Sequence, residues 1–386
     1  MNNNTTKVAI IYHYIAHYRK PVFDILCKSN NIDYYVVADE VSNISSLNVI
    51  NMSEDSSGAN ISKKWIKVKN IWITKNILWQ KDLIKLALNK RFDYLIFLGN
   101  IYFISTWIAI VLARLRGKKV YFWTHGFRNE ELNLKGRIRC YFYRLAHGMF
   151  LYGNRAKNIL LDKGFSPDKL YVIYNSLDFN AQTQELNKIG PEEKDNKRQS
   201  LQFDADDKII ISTGRITKDK KFDLLIDALS NLNETGSDTY KLIIVGDGPD
   251  KALVEAKAHA LSVVDYVVFC GECYEESELA LLISMADVFV IPGDIGLSAI
   301  HSLTYGTPVV THDDFTTHKP EFEAIRDGLN GSFYKSGNVA DMVEKIRFWS
   351  SKNRGDVFDQ CRLVVAEFYN AAYQKRVIDT VIQEDC

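Results

Sequence analysis

KIIISTGRITKDKKFDLLIDAL, Lys208–Leu229, reads as an apolar strand, a glycine turn carrying two separated cations, and a helix. The same style recurs on both sides. Downstream come KLIIVGDG (Lys241–Gly248), YVVFCG (Tyr266–Gly271), VFVIPG (Val288–Gly293) and TPVVTHD (Thr307–Asp313). Upstream come VAIIY, IDYYVVA, FDYLIFLG, KKVYFWTHG, GMFLYG and LYVIYNS. Short apolar runs alternating with helical stretches predict an α/β protein whose parallel sheets are covered on both faces. At 386 residues the chain exceeds the ~250–300 at which a single core stops growing, so two doubly wound, Rossmann-like domains facing each other across a cleft are expected.

The polar stretch FNAQTQELNKIGPEEKDNKRQSLQFDADD lacks periodicity and reads as the linker. The expected division is a first domain over 1–178, a linker over 179–207, a second domain over 208–365 and a helical tail over 366–386 that crosses back to the first domain. The acidic cluster Asp204, Asp206 and Asp207 has the look of a metal motif but precedes its strand instead of following it, so no metal is assigned.

The chain carries 48 basic and 48 acidic residues, yet residues 1–178 hold 26 basic against 13 acidic and the remainder 22 against 35. Halves of opposite sign attract, and a basic half suits an anionic surface. RLRGKK, KGRIRCYFYR and KKWIKVKNIW interleave cations with aromatics, which points to peripheral association with the inner face of the plasma membrane. Nucleic acid is disfavoured, because the second half is acidic and no recognition module is present. MNNNTTK runs into VAIIY without a secretory pattern, so a cytoplasmic location is expected. The most apolar segment, Ile101–Ala113, is too short for the ~20 residues of a membrane span and reads as a buried helix. Cys270 and Cys273 form a lone CxxC pair, which reads as a strand-end buried thiol and its neighbour, not as a redox or zinc centre.

In an open parallel sheet, ligands bind beyond the carboxyl ends of the strands, where glycine turns and helix starts favour anions. Gly214, Arg215 and Lys220 place a planar fork and a flexible ammonium on one turn, a combination suited to two phosphates. Gly293 and Gly296 precede a helix expected from about Leu297 to Tyr305, whose amides at Gly296, Leu297 and Ser298 suit phosphate oxygens. VGDGP, with Gly246 and Gly248, is a further glycine loop without the third glycine of a dinucleotide fingerprint.

From Ser212 to about Trp349 the order of GRITKDKKFDLLIDAL, KLIIVGDGP, VVFCGECYEESELALLISMADVFVIP, GLSAIHSLTYGTPVV and PEFEAIRDGLNGSFY resembles glycosyltransferase family four, the retaining GT-B enzymes of bacterial surface polysaccharide synthesis. The first half resembles it more loosely, through FWTHG and RLAHGMFLYGNRAKNILLDKGFSPDKLYVIYNSLD, and has YHYIAHYRKP where the family carries a glycine pair. The resemblance implies a nucleotide-sugar donor, a lipid-linked or oligosaccharide acceptor, no cofactor and no metal. It implies that Arg215 and Lys220 hold the donor diphosphate, that Gly246, Gly248, Glu272 and Cys273 lie in loops lining the base pocket, and that His125 is a catalytic residue near the donor sugar. His13 and His17 then belong to the acceptor side. Family members carry two glutamates eight positions apart, and here Gly293 and His301 stand at those places. His301 can still bond a ribose hydroxyl, and Asp294 or Glu321 can present a carboxylate to the sugar. A site that has lost activity, leaving a scaffold or donor-binding subunit, and a GT-B-like epimerase are the alternatives.

Overall fold

The computed structural model describes residues 5–42, 49–50 and 60–385. The opening Met1–Asn4 and the last cysteine, Cys386, lie outside the described residues. The chain divides into two compact units, Met1–Leu177 with Asn370–Cys386, and Asp178–Tyr369.

In the first unit the strands are β1 (Thr6–Tyr14), β2 (Ile32–Asp39), β3 (Trp65–Lys67), β4 (Asn70–Trp72), β5 (Leu78–Gln80), β6 (Tyr94–Leu98), β7 (Lys119–Thr124), β8 (Gly148–Leu151) and β9 (Leu170–Val172). Seven of them form a sheet in the order β3-β2-β1-β6-β7-β8-β9, each pair parallel, while β4 and β5 make a separate antiparallel pair. Alternation along β1 explains its unbroken apolar run: Val8, Ile10 and Tyr12 enter one core, Ala9 and Ile11 the other. Of these strands β3, β4 and β5 are too short to carry a periodic signal and went unpredicted.

The C-terminal helix Ala371–Glu384 belongs to this first unit. Its Ile378, Val381 and Ile382 are buried in the same core as Val8 and Ile10. Asp379 accepts from the Tyr34 hydroxyl at 2.6 Å, and Asp385 accepts from Tyr121 and Lys119, each at 2.7 Å. The expected start of the tail at 366 falls inside the helix Arg354–Phe368; the break comes at Asn370, whose side chain caps the next helix through the Tyr373 amide. Ile382→Val removes one buried methylene and is expected to lower the unfolding free energy by ~0.5–1.5 kcal/mol in a denaturant titration.

The second unit holds β10 (Lys208–Thr213), β11 (Tyr240–Val245), β12 (Val267–Gly271), β13 (Val288–Ile291), β14 (Val309–His312) and β15 (Gly331–Tyr334). Their order is β12-β11-β10-β13-β14-β15, all parallel. The progression reverses between β10 and β13, so the loops after these two strands meet at the topological switch point where such sheets bind ligands.

The expected linker is instead structured. Residues 179–207 form helices Phe179–Leu186 and Pro191–Ser200 and belong to the second unit, where Gln182 donates to Glu276 at 3.3 Å and Lys197 pairs with Glu278 at 2.5 Å. The helix Pro191–Ser200 buries none of its residues, so it shows no apolar period; its signals are Pro191 at the first position and Glu193 reaching back to the Gly190 amide at 2.7 Å. The acidic cluster closes the following turn: Asp207 accepts from the Asp204 amide at 2.8 Å, and Arg198 donates to the carbonyls of Asp204 and Asp207.

Candidate active site

Two flanking loops grip the turn after β10. Gly214 donates to the Val245 carbonyl at 2.9 Å and Ile216 to that of Asp247 at 2.9 Å, while on the other side Asp294 donates to the Asp219 carbonyl at 3.0 Å. This close approach explains three of the glycines. A Cβ at Gly246 would lie 2.0 Å from the Gly214 oxygen, at Gly248 2.1 Å from the Ile216 oxygen, and at Gly293 1.9 Å from the Asp219 oxygen. Gly246 and Gly214 also adopt φ values of 146° and 142°, which disfavour side chains.

The charged groups gather on the same loops. The Lys220 ammonium donates to the Asp294 carbonyl, and Lys319 pairs with Asp294 Oδ2 at 2.5 Å. Asp294 is buried and its Oδ1 has no hydrogen-bond partner. Burial pulls the Lys220 ammonium below its ordinary pKa; Asp294 opposes that shift and Lys319 adds to it. Arg215 is exposed on the turn. Glu321 is buried, and its Oε2 would be 3.8 Å from a Cβ at Gly296. The helix Leu297–Thr304 begins beside it with Gly296, which has no side chain to cap with, as N-cap. Gly214, Arg215, Lys220, Gly246, Gly248, Asp294, Gly296 and Glu321 therefore stand on adjoining turns, with Leu297 and Ser298 opening the helix that follows Gly296.

His318 escaped sequence reading. Its Nδ1 accepts from the Ile295 amide at 3.2 Å and its Nε2 donates to the His312 carbonyl at 2.8 Å, so the neutral imidazole ties the Asp294 loop to the end of β14. Burial holds its pKa below the ordinary histidine value. No spacing rule announces such a tie, because it depends on β13 and β14 being neighbours.

His301 is engaged otherwise than expected. Its Nε2 lies 2.7 Å from Glu276 Oε1, an oxygen that also accepts from Tyr305 and Gln182. Burial works to raise the Glu276 pKa, but these donors hold the carboxyl below its ordinary value. In the loop after β12, Glu272 is exposed and Cys273 Sγ lies 3.8 Å from the Glu275 carbonyl. Glu272 pushes the neighbouring Tyr274 phenol up in pKa while the Arg215 charge opposes the shift. Cys270 is exposed, contrary to the buried thiol expected, because its side chain sits on the edge strand β12.

In the first unit, His13 packs against Tyr14, Phe103 and Trp72 with ring centroids 3.8, 5.3 and 6.3 Å away. Burial, with Arg19 adding to it, lowers its pKa to about 4. His17 is exposed at the start of the short helix His17–Arg19. His125 is exposed just past β7, its ring 4.5 Å from that of Tyr152. Arg19 is buried among the rings of Tyr12, Phe23, Trp123 and Tyr152, and donates to the Tyr12 hydroxyl at 2.7 Å. It thereby backs Tyr152, against which His125 rests.

Two Rossmann-like parallel sheets, of seven and six strands, define the GT-B fold. The Anabaena protein HepE in complex with UDP is similar over 98% of this chain and 100% of its own, with a TM-score of 0.73 and 14% identity, a likeness of fold. Residues 193–361 match the family model for glycosyl transferases group 1. An uncharacterized glycosyltransferase of Methanocaldococcus jannaschii is 36% identical over 146 residues, 37% of this chain and 36% of the relative. The alpha-monoglucosyldiacylglycerol synthase of Streptococcus pneumoniae is 30% identical over 193 residues, 49% of this chain and 42% of the relative. The chain thus spans less than half the length of these curated relatives.

Proposed function

We propose that the chain is a retaining, metal-independent glycosyltransferase that moves a sugar from a UDP- or GDP-sugar to a lipid-linked oligosaccharide acceptor in surface-glycan synthesis on the cytoplasmic face of the membrane. The observation that carries the reading is the buried, unpartnered Asp294 Oδ1 set among Lys220, Lys319 and the start of the helix Leu297–Thr304. An anionic oxygen left unpaired costs ~1–3 kcal/mol, and a sugar hydroxyl is the donor it lacks. The lipid acceptor draws support from the name of the streptococcal relative and from the basic first half of the sequence.

Arg215, Lys220 and the amides at Gly296, Leu297 and Ser298 stabilise the diphosphate as the bond from the sugar's anomeric carbon to the phosphate oxygen breaks. The acceptor hydroxyl oxygen bonds to that carbon, and its proton passes to the departing phosphate oxygen. Asp294 orients the sugar, with Glu321 beside it. Gly246, Gly248, Glu272 and Cys273 line the base side, and His301 acts from its pairing with Glu276. On the first unit, His125 is the group assigned to the chemistry and the exposed His17 the candidate for acceptor contact; His13, enclosed by aromatic rings, positions its neighbours.

A nucleotide-release assay with UDP- and GDP-sugars and a lipid-linked acceptor should show turnover undiminished by EDTA. Activity lost in EDTA and restored by manganese would exclude the metal-free route. A second reading, a donor-binding subunit without turnover, is favoured by the lack of a carboxylate at Gly293 and His301. Calorimetric donor binding without nucleotide release would establish it.

A further inference from the structure

The segment Ile101–Ala113, expected to be a buried helix, turns one face to solvent. The helix Ile104–Leu115 buries Ser105, Thr106, Ala109, Ile110 and Ala113, and turns Ile104, Ile108, Val111 and Leu115 to solvent. That spacing is one stripe along a helix. The helix Leu134–Tyr143 does the same with Leu134, Ile138 and Tyr141.

The two stripes are neighbours. Lys135, at the start of the second helix, lies 5.7 Å from the ring of Tyr102, just before the first; the Trp107 and Phe142 rings are 4.6 Å apart; and Arg114, near the end of the first helix, donates at 2.6 Å to the Leu145 carbonyl past the end of the second. Start beside start and end beside end, the helices run parallel. With Tyr102 and Leu132 they carry nine of the nineteen exposed large hydrophobic residues among the described residues, so the clustering is not the ordinary scatter of single apolar side chains.

The charge around this face is predominantly positive: the acidic residues between 101 and 161 are Glu130 and Glu131, just before the second helix, and Glu131 is paired with Arg139 of that helix at 2.7 Å. No aspartate or glutamate occurs in residues 101–129 or 132–161, whereas Arg114, Arg116, Lys135, Arg137 and Arg144 are exposed on or beside the helices. Of the cation-aromatic stretches in the sequence, RLRGKK and KGRIRCYFYR fall here. The third lies elsewhere, around the edge strand β3, where Lys64 and Lys67 are engaged with Asp33 and Glu40.

We infer that these two helices form a docking platform for an anionic lipid bilayer, with the apolar stripes entering the headgroup boundary and the cations meeting lipid phosphates. No helix among the described residues is long and apolar enough to cross a membrane. Apolar side chains rimmed by cations on a helix face match the chemistry of attachment in the interface plane. The inference shares with the proposed function the expectation of a lipid-linked acceptor, but its evidence is the surface alone.

The test is cosedimentation of the full chain with vesicles of phosphatidylcholine, and of phosphatidylcholine mixed with phosphatidylglycerol, without donor or acceptor. Binding to the mixed vesicles only is expected, weakening as salt rises. Ile108→Asp with Ile138→Asp, and separately Arg116→Glu with Arg137→Glu, should each weaken binding by about tenfold or more while circular dichroism and the melting temperature stay unchanged. Absence of binding, equal binding to neutral vesicles, or variants that bind like the parent would overturn the platform. A dimer in light scattering that the isoleucine pair dissociates would assign the face to a second copy instead. Because the readout involves no transfer, a failed transferase assay and a failed vesicle assay are separate results.

Discussion

Gly293→Glu is expected to abolish transfer instead of improving it. From the resemblance read in the sequence alone, placing a carboxylate at this position promises gain. In the structure a Cβ at residue 293 would sit 1.9 Å from the Asp219 carbonyl oxygen and 2.7 Å from Lys220 Cα, both backbone atoms of the turn that carries the cations. Accommodating any side chain drives the turn away, breaking the Asp294-to-Asp219 bond and the Lys220 contact with the Asp294 carbonyl. Misplacement of positioning groups by about 1 Å costs ~100-fold in rate, so kcat/KM should fall by at least about that factor in Gly293→Ala and below detection in Gly293→Glu. His301→Glu brings a second carboxylate towards Glu276 and is also expected to impair the site. A Gly293→Glu, His301→Glu double variant that outperforms the parent would refute the reading of a living site built without these glutamates.

The second large effect concerns the cations. Arg215→Ala and Lys220→Ala should each weaken donor binding by one to two decades, since a charge-assisted contact to phosphate is worth ~1.5–3 kcal/mol. The structure separates the two in a second measurement. Arg215 is exposed, so its removal should leave the melting temperature unchanged. Lys220 also holds the Asp294 carbonyl, and its removal should lower the melting temperature as well as the affinity. Donor affinity unaltered in calorimetry for both variants would remove them from the diphosphate site.

Much of the fold is legible in the sequence. The eleven apolar runs all became strands, because a strand buried on both faces must be apolar at every position. β15, Gly331–Tyr334, was passed over as a strand because GSFY is too short and too polar to stand out, although it pairs in register with β14. The glycine turns were visible because φ above zero restricts residue type locally, and the pair Arg215 and Lys220 because two cations of different reach stand on one short turn.

What the amino-acid sequence determined by itself was therefore the α/β class, the two sheets and the turn bearing Arg215 and Lys220, all set by interactions within a few residues of the chain. The tertiary structure alone decided that 179–207 packs as helices on the second unit, that Gly293 leaves room for a neighbouring backbone and for no side chain, that His301 answers to Glu276, and that one face of Ile104–Leu115 meets solvent. Each of these depends on which distant segment lies opposite, and a hydrophobic or polar residue has the same local preference whether its partner is another part of the chain, water or a ligand.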